Sequence, residues 1–162
     1  PQTSPGQHAG GGGSRREGPS PIDTSDIQLR QPKPDLFDGV AHRAAKTIAL
    51  DQRNGREREK RTNKPSQIRK FFDELVMWEA KINAGKEDEA SRKARFDDAL
   101  PFIRMLNAKA AYAKGRQLID ESFQDLLGHC LKQVEDPTTL RNCRLFFEAL
   151  LGFYKAYRHS DQ

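Results

Sequence analysis

The chain has 162 residues, with 28 Lys and Arg against 23 Asp and Glu, a formal net charge of +5 and a pI near 9.3. That length fits one domain with a tail, and the small basic excess permits an anionic partner without demanding one. No run of 18 apolar residues is present to cross a membrane, two cysteines make no disulfide framework, and hydrophobic content of 35% is low for a chain folded along its whole length.

Residues 1–34 are rich in Pro, Gly, Ser, Thr and Gln and include the run Gly10 to Gly13. So little apolar surface does not offset the entropy of ordering, and the segment reads as a disordered tail. The chain begins at Pro1 without an initiator Met, which suggests that its first residues are missing or processed. No secretory signal is visible there, and a cytoplasmic protein is the default expectation. From Asp35 to Gln52 the residues Leu36, Val40, Ala44, Ile48 and Leu50 are spaced at helical period, with Asp35 as a candidate cap. Arg53 to Thr62 is a charge run with cations in excess and a turn signal at Asn54-Gly55. It reads as an exposed, mobile connector, either a solubilising linker or an RNA-facing loop. No segment alternates at period two for long enough to predict a strand.

The strongest helical pattern covers Pro65 to Ala84. Ile68, Phe71, Phe72, Leu75, Trp78 and Ile82 recur at three- and four-residue steps, with Asn63 or Ser66 as cap and Asn83 to Gly85 as the stop. Trp78 is expected to pack rather than to serve as a stacking platform. Lys86 to Ala99 reads as an exposed helical stretch, followed at Pro101 by a break or kink. Leu100 to Arg116 is the most informative run. At about 100° per residue, Ile103, Leu106, Ala110 and Ala113 share one face, while Met105, Lys109, Tyr112 and Arg116 share the opposite one. Gly115 is the expected stop. Two cations around an aromatic ring suit a phosphate backbone and a base or sugar. By periodicity alone, a solvated face around a half-buried tyrosine is the simpler reading. Gln117 to Glu135 carries the stripe Phe123, Leu126, Leu127, Cys130, Leu131 and Val134. Pro137 to Tyr157 carries Leu140, Cys143, Phe147, Leu150, Leu151, Tyr154 and Tyr157, widened by Phe146 and Phe153 into a helix that is central or at an interface. The expected class is all-α: a compact bundle of about five helices behind a disordered N-terminal tail, divided into the tail at 1–34, a helix and basic connector at 35–61, and a bundle core at 62–158.

Catalytic chemistry is not legible. His8, His42, His129 and His159 are scattered, and no zinc spacing, phosphate loop or dinucleotide fingerprint occurs. Carboxylate pairs such as Asp97-Asp98 and Asp120-Glu121 read as solvated or capping groups. Cys130 and Cys143 read as reduced core residues. The expectation is a non-enzyme with no cofactor and no metal.

Three blocks carry a resemblance: Thr62 to Phe71, Leu100 to Arg116 with its Lys109-x-x-Tyr112-Ala113-x-Gly115-Arg116 piece, and Phe146 to Tyr157. In this order and spacing, over about residues 62–158, the chain resembles the small helical subunit of type III-A CRISPR–Cas interference complexes, the Csm complexes. The family's last aromatic helix often has a His between Tyr and Lys, whereas here Lys155 follows Tyr154 directly. The stretch before residue 62 departs from the family core.

The resemblance implies a non-catalytic subunit whose copies stack along the guide RNA–target RNA duplex and touch chiefly the target strand. Its partners would be the backbone subunits, the large polymerase/cyclase subunit and further copies of itself, with no membrane involved. The broad aromatic helix at 140–157 would supply a protein contact. Lys64, Arg69, Lys70, Lys109, Lys114 and Arg116 would supply sequence-independent phosphate contacts, as suits a system where base pairing carries the specificity. Arg69 and Arg116 have alternative partners in Asp73 and Asp120. Lys109 and Arg116 are favoured as RNA-facing, while Tyr112 either braces that face or stacks on a base. Two other readings stay open: a helix-turn-helix-like DNA-binding regulator using the Gly115-Arg116-Gln117 junction, and a helical adaptor that binds protein without nucleic acid.

Overall fold

A computed structural model describes residues 18–85 and 88–159. The class is all-α, as expected. The helices are α1 (Gly39–Ala49), α2 (Pro65–Ile82), α3 (Glu89–Arg104), α4 (Leu106–Gly115), α5 (Glu121–Gln133) and α6 (Pro137–Tyr157). A 3-10 turn at Pro34–Phe37 precedes α1, and a two-stranded antiparallel hairpin, β1 (Leu50–Arg53) and β2 (Arg56–Glu59), separates α1 from α2.

α6 lies at the centre. Its apolar residues are spread around much of its circumference, so it packs on α1, α2, α3 and α5 at once. Leu140, Cys143, Phe146, Phe147, Leu150 and Tyr154 are buried. The broad apolar surface of α6 is therefore used mostly inside the chain rather than for a partner contact. Phe71, Phe123, Phe147 and Phe146 form a run of edge and tilted ring contacts with centroids 5.4–6.3 Å apart. α1 lies closely along α6 because Ala41, Ala44, Ala45 and Ala49 present little more than a methyl group to it. Cys130 and Cys143 are both buried and unbridged, and burial pushes the Cys130 thiol well up.

Several local expectations change. Residues 18–34 are not a loose tail: Ile22, Ile27 and Leu29 are core residues. The backbone at Ile27 and Leu29 is held by side-chain amides from α5 and α6. The Leu29 N–H donates to Gln133 Oε1 at 2.7 Å, Asn142 Nδ2 donates to the Leu29 carbonyl at 2.9 Å, and Gln133 Nε2 donates to the Ile27 carbonyl at 2.8 Å. The rest of the expected tail, residues 1–17, lies outside the described residues. The basic connector is a hairpin. Asn54 and Gly55 both take positive φ, at 52° and 72°, which makes the two-residue turn whose twist matches antiparallel strands. Such charged strands lack the alternation that marks a buried face.

Asp35 does not start α1. Its carboxylate accepts the Gly39 N–H at 3.2 Å from the preceding 3-10 turn. The cap residue of α2 is Lys64, rather than Asn63 or Ser66. The helix does not break at Pro101, which lies in the last turn of α3; the break comes at Met105, whose N–H donates back to the Pro101 carbonyl at 3.1 Å. Nor does Gly115 supply the left-handed residue that closes α4. Gln117 does, with φ 59°: its N–H donates to the Lys114 carbonyl and the Leu118 N–H to the Ala113 carbonyl, the paired bonds of a Schellman turn.

A buried polar cluster fixes the entry to α2. Asn63 is fully buried in the left-handed region, and its amide donates to the Ile48 carbonyl and to Asp120. The Lys60 side chain is only 12% exposed, and its ammonium lies 2.7 Å from Asp120. Arg158 donates to the carbonyls of Lys60 and Thr62, and the Tyr154 hydroxyl to that of Asn63. Burial by itself would raise the Asp120 carboxyl. Hydrogen bonds from Lys60, Ser122 and Asn63 outweigh it and hold the group below the ordinary aspartate value.

Candidate nucleic-acid interface

The two faces expected for Leu100 to Arg116 persist across the break at Met105. Ile103, Leu106, Ala110 and Ala113 are buried, while Met105, Lys109, Tyr112 and Arg116 remain on the outside. The outer face borders a groove against α2 of about 480 Å³, lined by Lys70, Glu74, Lys109, Tyr112 and Arg116 with Phe71 on its floor. Lys70 enters because it lies one turn past Ser66 and before Glu74 on the edge of α2 that looks across to α4. The sequence pattern carries no signal for that alignment, since it depends on how two helices separated by α3 are placed.

Among the described residues Tyr112 is the most exposed of the large hydrophobic side chains, at 66%. Its hydroxyl accepts from Arg116 at 3.3 Å, and the guanidinium carbon lies 5.8 Å from the ring centroid. The ring thus braces the cation while keeping one face open to water. Arg116 does not pair with Asp120, which is engaged by Lys60. Among the described residues, neither Lys70 nor Arg116 has a carboxylate within ion-pair distance, so both charges face the groove uncompensated. Lys109 differs: its ammonium is hydrogen-bonded to Glu74 across the groove, a contact that residue spacing within α4 does not reveal.

The remaining candidates fall elsewhere. Arg69 pairs with Asp73 at 3.3 Å, its alternative partner, and lies over the Phe72 ring at 5.6 Å. Lys114 is exposed but outside the groove. Lys64 contributes its carbonyl to the first turn of α2, accepting from Gln67 and Ile68, and its side chain does not line the groove. At the other proposed surface, the start of α5, Asp120 caps the helix by accepting the Phe123 N–H at 3.2 Å and is tied to Lys60 and Asn63. A helix-turn-helix reader needs that end free for base edges.

Among the described residues no group of three or more His, Cys, Asp or Glu side chains converges as metal ligands do, and no helix is long and apolar enough to cross a membrane. What the groove offers chemically is positive charge beside an exposed ring. The family model described as Csm2 Type III-A matches residues 41–160. No curated protein and no solved structure matches. The arm at residues 18–40, with its core residues Ile22, Ile27, Leu29 and Leu36, precedes the matched span.

Proposed function

As a member of the Csm2 Type III-A family this chain is a subunit of a type III-A CRISPR complex, and we propose that within it the α2–α4 groove holds the target RNA strand through its phosphates. One observation carries the reading: Lys70 from α2, Lys109 and Tyr112 from α4 and Arg116 just past its end converge on one groove although they come from separate parts of the chain. Three cations around one ring, two of them without a carboxylate partner among the described residues, attract a polyanion and read no base edge. That suits a subunit stacked along a duplex whose specificity lies in base pairing. In this reading the subunit is non-catalytic and cytoplasmic, and serves antiviral defence. Copies of it lie side by side, and strand cutting and second-messenger synthesis belong to the backbone and large subunits.

The test is binding to single-stranded RNA across a salt series, comparing the natural protein with a Lys109→Ala, Arg116→Ala double variant. Each lost phosphate contact should flatten the slope of log affinity against log salt by about 0.7. Both side chains are exposed, so the variant keeps its fold. An unchanged affinity and slope would refute the assignment.

A further inference from the structure

We propose that Phe102, stacked on Trp78, forms a base-stacking subsite for an unpaired nucleotide of the same RNA strand, at the far end of the cationic groove; the proposal rests on the groove reading above. Phe102, Met105, Lys109, Tyr112 and Arg116 follow one another at steps of three and four, so they make one stripe along the end of α3 and the whole of α4. α2 runs antiparallel beside it: Lys70 lines the groove with Arg116, Glu74 meets Lys109, and Trp78 meets Phe102. From Lys70 to Trp78 is about 12 Å at 1.5 Å per residue, a span that a few nucleotides cover.

At this end the surface changes from charge to flat apolar rings. Phe102 is 54% exposed, which is unusual for a phenylalanine that ends a core-packed helix. Its ring lies nearly parallel to Trp78, at 14° and 5.8 Å between centroids, and the Lys81 ammonium lies 5.1 Å from the Trp78 centroid. Together with Arg95 and Asp98 they border a concavity of about 270 Å³. An exposed ring held rigid by a second ring offers its open surface to a nucleobase. A cation on each side, Lys81 beyond and Lys109 before, suits the flanking phosphates. This charge pattern favours a nucleic acid over an apolar protein segment as the occupant. Stacking accepts any base, as a subunit must when the guide alone reads the sequence.

The chain has a single tryptophan, so Trp78 emission reports on this position alone. Titration with a short mixed-sequence single-stranded RNA at low salt should quench it. Phe102→Ala, at an exposed position that spares the fold, should weaken binding about 10-fold while leaving the salt slope unchanged. The natural protein should bind an abasic strand of equal length about 10-fold more weakly than the intact one, and the variant should bind the two alike. Unmoved Trp78 emission at saturation, or natural affinity in Phe102→Ala, overturns the subsite. So does a Phe102→Ala variant that binds RNA normally but no longer associates with its protein partners. The Lys109→Ala, Arg116→Ala variant separates the two ideas. If it flattens the salt slope while Phe102→Ala has no effect, only the stacking subsite falls. If it changes nothing while Phe102→Ala weakens binding, the cationic groove falls and takes with it the subsite as an extension of that groove. Absence of any RNA binding at low salt overturns both.

Discussion

Among the described residues Glu74 is the carboxylate that lines the groove beside the cations Lys70, Lys109 and Arg116, and it holds Lys109. A phosphate that reaches Lys109 must displace it. The pair is partly solvated, with side chains 52% and 29% exposed, so breaking it costs about 0.2–1 kcal/mol. The displaced carboxylate then stays near the incoming phosphate; at a separation of about 6 Å in water-like surroundings the repulsion adds about 0.7 kcal/mol. Glu74→Gln removes both terms and keeps the shape. The expected result is RNA binding tighter by about 1 kcal/mol, or about fivefold, measured by fluorescence anisotropy at fixed low salt. Thermal stability should hardly change, because a pair this exposed contributes little to it. In a Lys109→Ala background most of the gain should vanish, since the residue that Glu74 masks is then absent. Unchanged or weaker binding by Glu74→Gln, or a full gain that persists without Lys109, would refute the idea that Glu74 competes with RNA for Lys109.

Two further predictions concern the fold that supports the groove. Ile27→Ala and Leu29→Ala each remove a fully buried side chain and should each lower unfolding stability by about 2–5 kcal/mol; thermal melts that match the natural protein would mean that the arm adds nothing to the core. Asp120→Asn breaks the buried pair with Lys60 and should cost about 2–4 kcal/mol at neutral pH. Since the folded carboxyl sits below its unfolded value of about 3.9, its contribution is complete above that pH and is lost as pH falls through the lower folded value. Urea unfolding at several pH values should therefore show the gap between natural protein and variant narrowing below about pH 4, and a gap that stays constant there would refute the sign.

Features governed by near neighbours in the chain were legible from residues alone. The steps of Ile68, Phe71, Leu75 and Ile82 mark α2 because a buried stripe recurs every 3.6 residues whatever it packs against. The two faces of Leu106 to Arg116 follow from the same period, which is why Lys109, Tyr112 and Arg116 could be named together. Asn54-Gly55 also carried its turn, but strands as charged as Leu50–Arg53 and Arg56–Glu59 left nothing to mark them as strands. The arm was missed for a related reason. Ile22, Ile27 and Leu29 are sparse among polar residues, and the amides of Gln133 and Asn142 that satisfy the backbone of Ile27 and Leu29 lie more than 100 residues away.

The amino-acid sequence by itself thus determined the all-α class, the helical segments and which residues of Leu106 to Arg116 face outward, since hydrophobic period acts within a few residues. Only the tertiary structure decided that Lys70 joins Lys109 and Arg116, that Glu74 masks one of them, and that Phe102 lies on Trp78 at the groove's end. Each of those pairings is set by how α2 lies against α3 and α4, and helix placement depends on the whole core rather than on any local pattern.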